Sequence, residues 1–170
     1  MKLFLPFIII VFFLSSQNSF GQDTTTSIIK SWAILKTQLQ RRTDIVINLT
    51  NTLTKSNKVD KKELAKSKKF ATDIFKYLDT LKQFDSLSIS VTMKKNSKLT
   101  KSLTKTIASL ENDKKFNIRN DIINHYAQLE GTENRIALAR REYNETCKTF
   151  NRLDLLFLAD QETKAVQVQF

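Results

Sequence analysis

The sequence predicts an all-α protein: an elongated antiparallel bundle of about four long helices, preceded by an N-terminal hydrophobic segment. Two observations support this prediction. After residue 21 the chain contains one glycine, Gly131, and no proline, so the residues that most often end helices are nearly absent. Apolar residues also recur at alternating spacings of three and four, which is typical of helices that bury one face. We expect residues 22–160 to form the bundle and residues 161–170 a C-terminal tail.

The first 21 residues predict export. A lysine at position 2 precedes the apolar run Leu3–Leu14, and small or polar residues follow as far as Gly21. This is the layout of a secretory signal that is cleaved after Gly21. An uncleaved membrane anchor formed by residues 3–14 is the alternative, although this run is shorter than the ~20 residues that span a bilayer.

The first helix of the bundle is predicted from about Thr24 to Lys55. Its heptad seam has one basic member and consists of Ile28, Trp32, Leu35, Leu39, Arg42, Val46, Leu49 and Leu53. The chain then breaks at residues 56–59. Asp60 as an N-cap, with Glu63 as its capping-box partner, predicts a second helix that ends near Phe84.

Residues 85–96 are ambiguous because Ser88–Met93 alternates like a strand that has no partner strand. We interpret this segment as a helical or irregular connection to a third helix at residues 97–111. After a break at residues 112–115, a fourth helix is predicted from about Phe116 to Leu156. Its apolar positions repeat every seven residues, at Ile122, Leu129, Ile136, Tyr143, Phe150 and Phe157. Asn, Asp, Ser and Lys clusters are expected to form the turns.

The residues that build common catalytic sites are scarce. His125 is the only histidine and Cys147 the only cysteine, and the two lie roughly 33 Å apart if they share one continuous helix. A histidine-based zinc site, a catalytic triad and a glycine-rich phosphate loop therefore lack their residues. We predict no catalytic, metal or cofactor-binding residues and no enzymatic activity, and we expect Cys147 to be buried as a small apolar side chain.

The formal charge of +11 restricts the electrostatic partners. The chain lacks the basic segments with interleaved aromatic residues that are typical of RNA and single-strand binding, so nucleic acid is not expected. Anionic lipid head groups or acidic envelope polymers fit an exported basic protein better. Lysine-rich helix faces that are simply solvated are the alternative.

Two polar clusters interrupt the apolar seams. The first-helix cluster consists of Arg41, Arg42, Asp44 and Asn48. The last-helix cluster consists of Glu130, Gly131, Glu133, Asn134, Arg135, Arg140, Arg141, Tyr143 and Asn144. We hypothesise that the clusters face each other, with Arg42 reaching Glu133 and Asp44 reaching Arg140; the alternative is that both are solvated.

The glycine of the last-helix cluster carries a separate prediction. Gly131 in a helix interior costs about 1 kcal/mol relative to alanine. We expect it to permit close approach by another backbone or a bulky residue, with Ala137 and Ala139 extending a face of small residues.

The same residues carry a family resemblance. The stretch LEGTENRIALARREYN at residues 129–144 closely resembles the signature of the LemA family, and WAILKTQLQRRTDIVINL at residues 32–49 resembles that family's first helix. The C-terminal FLADQETKAVQVQF also resembles the end of many members. The resemblance implies long antiparallel helices in a bacterial envelope protein that has an N-terminal hydrophobic segment and no established enzymatic activity.

These features together predict a non-enzymatic interaction or scaffold module at the periplasm or the outer face of the cytoplasmic membrane. Its protein partners and oligomeric state are not indicated by the sequence. The alternative is a membrane-associated protein held by its N-terminal segment and by the lysine-rich helix faces, including Lys58, Lys61, Lys62, Lys66, Lys68 and Lys69.

Overall fold

The computed structural model describes the backbone of residues 5–82, 84–110 and 119–158, and within these ranges it describes side chains from residue 25 onward. This part of the chain contains four α-helices and no β-strand. They are α1 (Leu5–Leu53), α2 (Lys61–Thr80), α3 (Ser86–Leu110) and α4 (Asn120–Thr149), followed by a 3-10 turn at Leu153–Leu155. The prediction of an all-helical bundle is confirmed.

Helices α1 and α4 pack side by side in opposite directions. The Trp32 ring of α1 lies 5.6 Å from the Tyr143 ring of α4, whereas Thr52 Oγ1, near the end of α1, lies 3.4 Å from His125 Nε2, near the start of α4. The heptad seam of α1 is buried, as its spacing predicts, at Ile28, Trp32, Leu35, Leu39, Arg42, Val46, Leu49 and Leu53.

Helices α2 and α3 form a second antiparallel pair. Ser67 Oγ lies 2.9 Å from Ser102 Oγ and 3.0 Å from Thr106 Oγ1, and at the other end the Tyr77 hydroxyl donates to the Ser88 carbonyl. Because these hydroxyls are short and pair with one another, polar side chains are accommodated in the interior of this hairpin.

Helix α1 begins at Leu5, well before the predicted start at Thr24. Gly21 does not end it, since one glycine costs a helix only about 1 kcal/mol. The side chains of the predicted signal or anchor, residues 1–21 with the apolar run at 3–14, lie outside the described part of the chain. No described helix contains a segment that is both long enough and apolar enough to cross a membrane.

The turn between α1 and α2 is built by charged side chains. The Asp60 carboxylate caps α2 as predicted, because its Oδ1 accepts from the backbone N–H of Lys62 at 2.8 Å and of Glu63 at 3.1 Å. The predicted capping box is incomplete, since the Glu63 side chain pairs with Lys66 at 2.6 Å instead. The Asp60 N–H donates to Ser109 Oγ on α3.

Helix α2 ends at Thr80, not near Phe84, and the ambiguous segment that follows is helical from Ser86. Asp85 and Ser88 explain why α3 starts so early: the Ser88 N–H donates to Asp85 Oδ1 at 2.7 Å, and the Asp85 N–H donates to Ser88 Oγ at 3.1 Å. This reciprocal capping satisfies backbone donors at the helix start. The strand-like alternation is misleading because the buried residues of this segment, Ser88, Ile89 and Thr92, follow helical spacing, and the Thr92 hydroxyl donates to the Ser88 carbonyl within the helix.

Helix α4 is shorter than predicted at both ends. It begins at Asn120, and the predicted break at 112–115 lies outside the described residues. It ends at Thr149 because Asn151 takes a left-handed conformation with φ of 54°, which short polar side chains tolerate. The Arg152 N–H then donates to the Cys147 carbonyl and the Asn151 N–H to the Lys148 carbonyl, as in a Schellman motif. The predicted tail at 161–170 also lies outside the described residues.

Candidate functional site

The predicted polar clusters meet at the middle of α1, where Arg42 occupies a position of the apolar seam. Only 3% of Arg42 is exposed. Its Nε donates to Glu133 Oε1 on α4 at 2.6 Å, its Nη1 to Asn96 Oδ1 at 2.7 Å, and its Nη2 to Thr100 Oγ1 at 2.9 Å on α3. The hypothesised contact between Arg42 and Glu133 is therefore present in the structure, and one side chain connects three helices.

The Arg42 network is buried unevenly. The Arg42 side chain is 4% exposed, whereas the Glu133 side chain is 42% exposed. The carboxylate can therefore be hydrated while the guanidinium depends on protein acceptors. A buried charge of this kind is tolerated only when it is paired and hydrogen-bonded, which fixes the register of α1 against α3 and α4.

The second hypothesised pair is wrong. Asp44 is exposed and Arg140 half-buried, and the structure forms no ion pair between these two described residues. Asp44 lies two residues after Arg42, which turns it by about 200° around the helix and away from the seam. Arg41 and Asn48 are also exposed, so only Arg42 of the first-helix cluster enters the bundle.

The close approach predicted at Gly131 is not found among the described residues. A Cβ added there would meet only the Arg135 guanidinium, with Nη2 at 3.7 Å and Nη1 at 3.8 Å, among the described residues. That guanidinium lies along its own helix and donates to Thr132 Oγ1 at 3.2 Å. Ala137 is exposed and Ala139 buried, so the two alanines do not form one face of small residues with Gly131.

Tyr143 and Asn144 hold the chain that follows α4 against the bundle. The buried Tyr143 hydroxyl donates to the Leu155 carbonyl at 2.7 Å. Asn144 bonds both backbone groups of Phe157: its Nδ2 donates to the carbonyl at 3.0 Å, and its Oδ1 accepts from the N–H at 2.8 Å. The Phe157 ring, 6.2 Å from the Trp32 ring, thereby helps to close this end of the core.

Tyr143 and Asn144 were expected in the last-helix cluster, but their contacts with Leu155 and Phe157 were not predicted, and neither Asn96 nor Thr100 was singled out. Asn96 and Thr100 are spaced by four residues beside the apolar positions of α3, which could have identified them as an inward polar pair. The contact between Asn144 and Phe157 depends on the turn at Asn151, which the fourth helix was predicted to continue through.

The single thiol is buried, as predicted. Burial raises the pKa of Cys147, and the hydrogen bond with Tyr143 acts in the opposite direction. Burial likewise raises the pKa of the Tyr143 hydroxyl. Both groups are therefore neutral near pH 7, and neither offers an ionised nucleophile. The described residues also contain no group of three or more His, Cys, Asp or Glu side chains that could hold a metal ion.

The remaining residues of the last-helix cluster lie at or near the surface. Glu130, Asn134 and Arg141 are exposed, and no hydrogen bond or ion pair joins their side chains to other described residues. Arg140 is half-buried, and Arg135 is exposed beside Gly131. The last-helix cluster therefore contains two groups: Glu133, Tyr143 and Asn144 bond to other segments of the bundle, whereas Glu130, Asn134 and Arg141 are exposed on its surface.

The LemA family profile matches residues 31–157 of the chain. The chain belongs to the LemA family. The matched region includes the whole Arg42 network and the contacts of Tyr143 and Asn144 with the chain after α4, so both lie in the part of this LemA protein that its family shares. A comparison with curated proteins found no match.

Proposed function

We propose that this LemA-family protein is a non-enzymatic helical interaction module of the bacterial envelope, and that it binds a protein partner through the outer face of α4. The supporting observation is that the residues of the signature stretch at 129–144 form two groups, one bonded within the bundle and one exposed. Glu133, Tyr143 and Asn144 bond to other segments of the bundle and hold the fold. Glu130 and Asn134 are exposed, and their side chains form no hydrogen bond or ion pair with other described residues.

The composition of the α4 outer face fits a protein partner. Helical geometry places its members within an arc of about 80°; they are Ile123, Ala127, Glu130, Asn134, Ala137 and Arg141. Ile123 is 42% exposed, and Leu138 at the edge of the face is 53% exposed. Exposed apolar side chains beside small residues and charges of both signs are suited to a complementary protein surface. A polyanion would favour charges of one sign.

Site-specific photocrosslinking in cells tests this proposal. A photoreactive residue at Asn134 is expected to capture a discrete protein partner, whereas the same probe at the exposed Thr104 of α3 is expected not to capture it. The triple variant Glu130→Ala, Asn134→Ala, Arg141→Ala, with the probe moved to Ala127, should lose the adduct. Its free energy of unfolding should change by no more than about 0.5 kcal/mol, because its three substitutions are on the surface. Equal capture from Asn134 and Thr104, or none from Asn134, contradicts the proposal.

Export is part of the proposal, and the length of the mature protein tests it. The layout of residues 1–21 supports either a cleaved signal or a retained anchor. Mass spectrometry of the protein from cells distinguishes them, since a mature chain that begins at Gln22 is released and one that begins at Met1 is anchored. Recovery of the protein in the cytoplasmic fraction contradicts both.

The distribution of charge favours one alternative function, association with a membrane surface. Residues 61–110 contain twelve lysines, four carboxylates and no arginine, a formal charge of +8, whereas residues 119–158 carry six basic and six acidic side chains. Two of the α2 lysines are engaged within the fold, since Lys61 donates to the Thr54 carbonyl and Lys66 pairs with Glu63. Salt-sensitive binding to anionic vesicles supports this function, and its absence at low salt contradicts it.

A further inference from the structure

Helix α3 carries a row of positive charge that faces away from the core. Its 25 residues include five lysines and no acidic residue. Lys94, Lys98, Lys101 and Lys105 are spaced by four, three and four residues, which places them within an arc of about 60°. All four are exposed, while Leu99 and Leu103 on the opposite side are buried. We call these four residues the α3 lysine face.

The positive charges of the α3 lysine face repel one another. Lysines three and four residues apart on a helix are neighbours, so this arrangement destabilises the isolated helix. Within the described chain, no carboxylate forms an ion pair with Lys94, Lys98 or Lys105. The fifth lysine, Lys95, lies to one side, with its Nζ 5.4 Å from the centre of the Tyr77 ring. Lys94, Lys98 and Lys105 therefore carry a stability cost among the described residues that an external anion would offset.

Leu87 extends the lysine face with an apolar side chain. It lies seven residues before Lys94, two turns earlier on the same side of α3, and it is 70% exposed. Between the lysines the surface carries only short side chains, those of Ser97 and Thr104. In the described part of the chain, the outer side of α3 therefore combines the exposed side chains of Lys94, Lys98 and Lys105 with one exposed leucine.

We propose that the α3 lysine face, with Leu87, docks on an anionic lipid bilayer. This inference rests on the alternative function above and assigns it to one surface. The row consists of lysines alone, and lysine is a hydrated point charge that suits a diffuse negative surface, whereas arginine suits bidentate recognition of single groups. A bilayer also offers the apolar boundary that Leu87 can enter, which an acidic polymer in solution does not.

Vesicle binding by full-length variants tests the assignment. The test variant is Lys94→Gln, Lys98→Gln, Lys105→Gln, and the matched control removes the same charge from exposed positions of α2 with Lys62→Gln, Lys68→Gln, Lys69→Gln. Binding is measured to phosphatidylcholine vesicles with and without phosphatidylglycerol, so that any contribution of the N-terminal segment is present in both measurements. A lysine near an anionic surface changes affinity by about fivefold. We expect the α3 variant to lose roughly 10- to 100-fold of the phosphatidylglycerol-dependent affinity and the α2 variant less than about fivefold.

The outcomes distinguish a failure of the α3 assignment from a failure of membrane association itself. Equal losses in the two variants overturn the α3 assignment, because the attraction is then spread over the hairpin, while membrane association itself stands. If the wild-type protein binds equally to vesicles with and without phosphatidylglycerol, both the α3 assignment and membrane association are overturned.

Binding to labelled poly-L-glutamate is a second measurement. Wild-type binding to this polymer without binding to the vesicles would identify a soluble polyanion as the partner and overturn the lipid assignment. Finally, Leu87→Ser is expected to weaken vesicle binding without changing polyglutamate binding, and an equal change in both contradicts the role given to Leu87.

Discussion

The Arg42 Nε on α1 donates a 2.6 Å hydrogen bond to Glu133 Oε1 on α4, across 91 residues of sequence. The guanidinium is buried and the carboxylate half-exposed. The two partners therefore differ in what each loses when the other is removed. Without Glu133, Arg42 is a buried cation with only the neutral acceptors Asn96 and Thr100, whereas without Arg42 the Glu133 carboxylate can still be hydrated.

A double-mutant cycle measures the energy of this pair. We expect Glu133→Ala to destabilise the protein by about 1–3 kcal/mol, because it leaves a buried charge without its counter-ion. In an Arg42→Met background the same substitution should cost much less, which gives a coupling energy of about 1 kcal/mol or more in urea unfolding. The Asp44→Asn, Arg140→Gln cycle is the control and should return no coupling, since those side chains do not meet. Equal coupling in the two cycles would be inconsistent with the structure.

Gly131→Ala is expected to stabilise the protein. The added Cβ would meet only the flexible Arg135 guanidinium, at ordinary contact distances of 3.7 and 3.8 Å, while alanine is favoured over glycine in a helix interior by about 1 kcal/mol. Chemical denaturation should show a gain of about 0.5–1 kcal/mol. A loss of stability would indicate that another part of the molecule approaches Gly131 and would restore the original prediction from the sequence.

Asn144→Ala is expected to loosen the chain after α4 without unfolding the bundle. The Phe157 N–H loses its acceptor, Asn144 Oδ1 at 2.8 Å, and the Phe157 carbonyl loses its donor. Native-state hydrogen exchange at Phe157 should accelerate by about tenfold, which corresponds to roughly 1.4 kcal/mol of local stability. Asn134→Ala is the matched control on the exposed side of the same helix and should leave exchange at Phe157 unchanged. The interpretation fails if the two variants behave alike.

The stability of the protein should decline in mild alkali because of Cys147. Burial raises the pKa of this thiol in the folded state, so the thiol of the unfolded chain ionises first, near pH 8.5. Above that pH the unfolded state has lost a proton that the folded state keeps, and stability falls as pH rises through the interval up to the folded pKa. The free energy of unfolding of Cys147→Ala should decline less steeply than that of the wild type from about pH 8 to 9.5. Parallel slopes would show that the thiol does not contribute.

The sequence predicted the buried seams well because burial follows helical periodicity directly. Every predicted seam position of α1 is buried, including Arg42. Helix ends were predicted less well because they depend on individual side chains. Asp85 and Ser88 start α3 early through a reciprocal contact, and Asn151 ends α4 through one left-handed residue. Neither signal stands out among the many Asn, Asp and Ser residues of the chain.

The candidate site was predicted only where the sequence constrained it. Arg42 is a single charge in an apolar seam and needs an inward partner, so its contact with Glu133 could be anticipated. Asp44 is also a charged residue of the first-helix cluster, but its position around α1 places it in solvent. Gly131 was misleading because the space beside a glycine can be filled by its own helix, in this case by Arg135, and spacing alone does not show which neighbour fills it.

The Arg42 network also has a consequence for the order of folding. Its members belong to three regions of sequence, the donor at residue 42 and the acceptors at 96–100 and 133, whereas the α2–α3 hairpin joins residues 35 to 39 positions apart. Contacts between near neighbours close at a lower entropic cost, so the hairpin is expected to form before α1 acquires its full set of partners. Until α4 arrives, the Arg42 charge has no carboxylate, and the bundle reaches its final cooperativity only when the last long helix is in place.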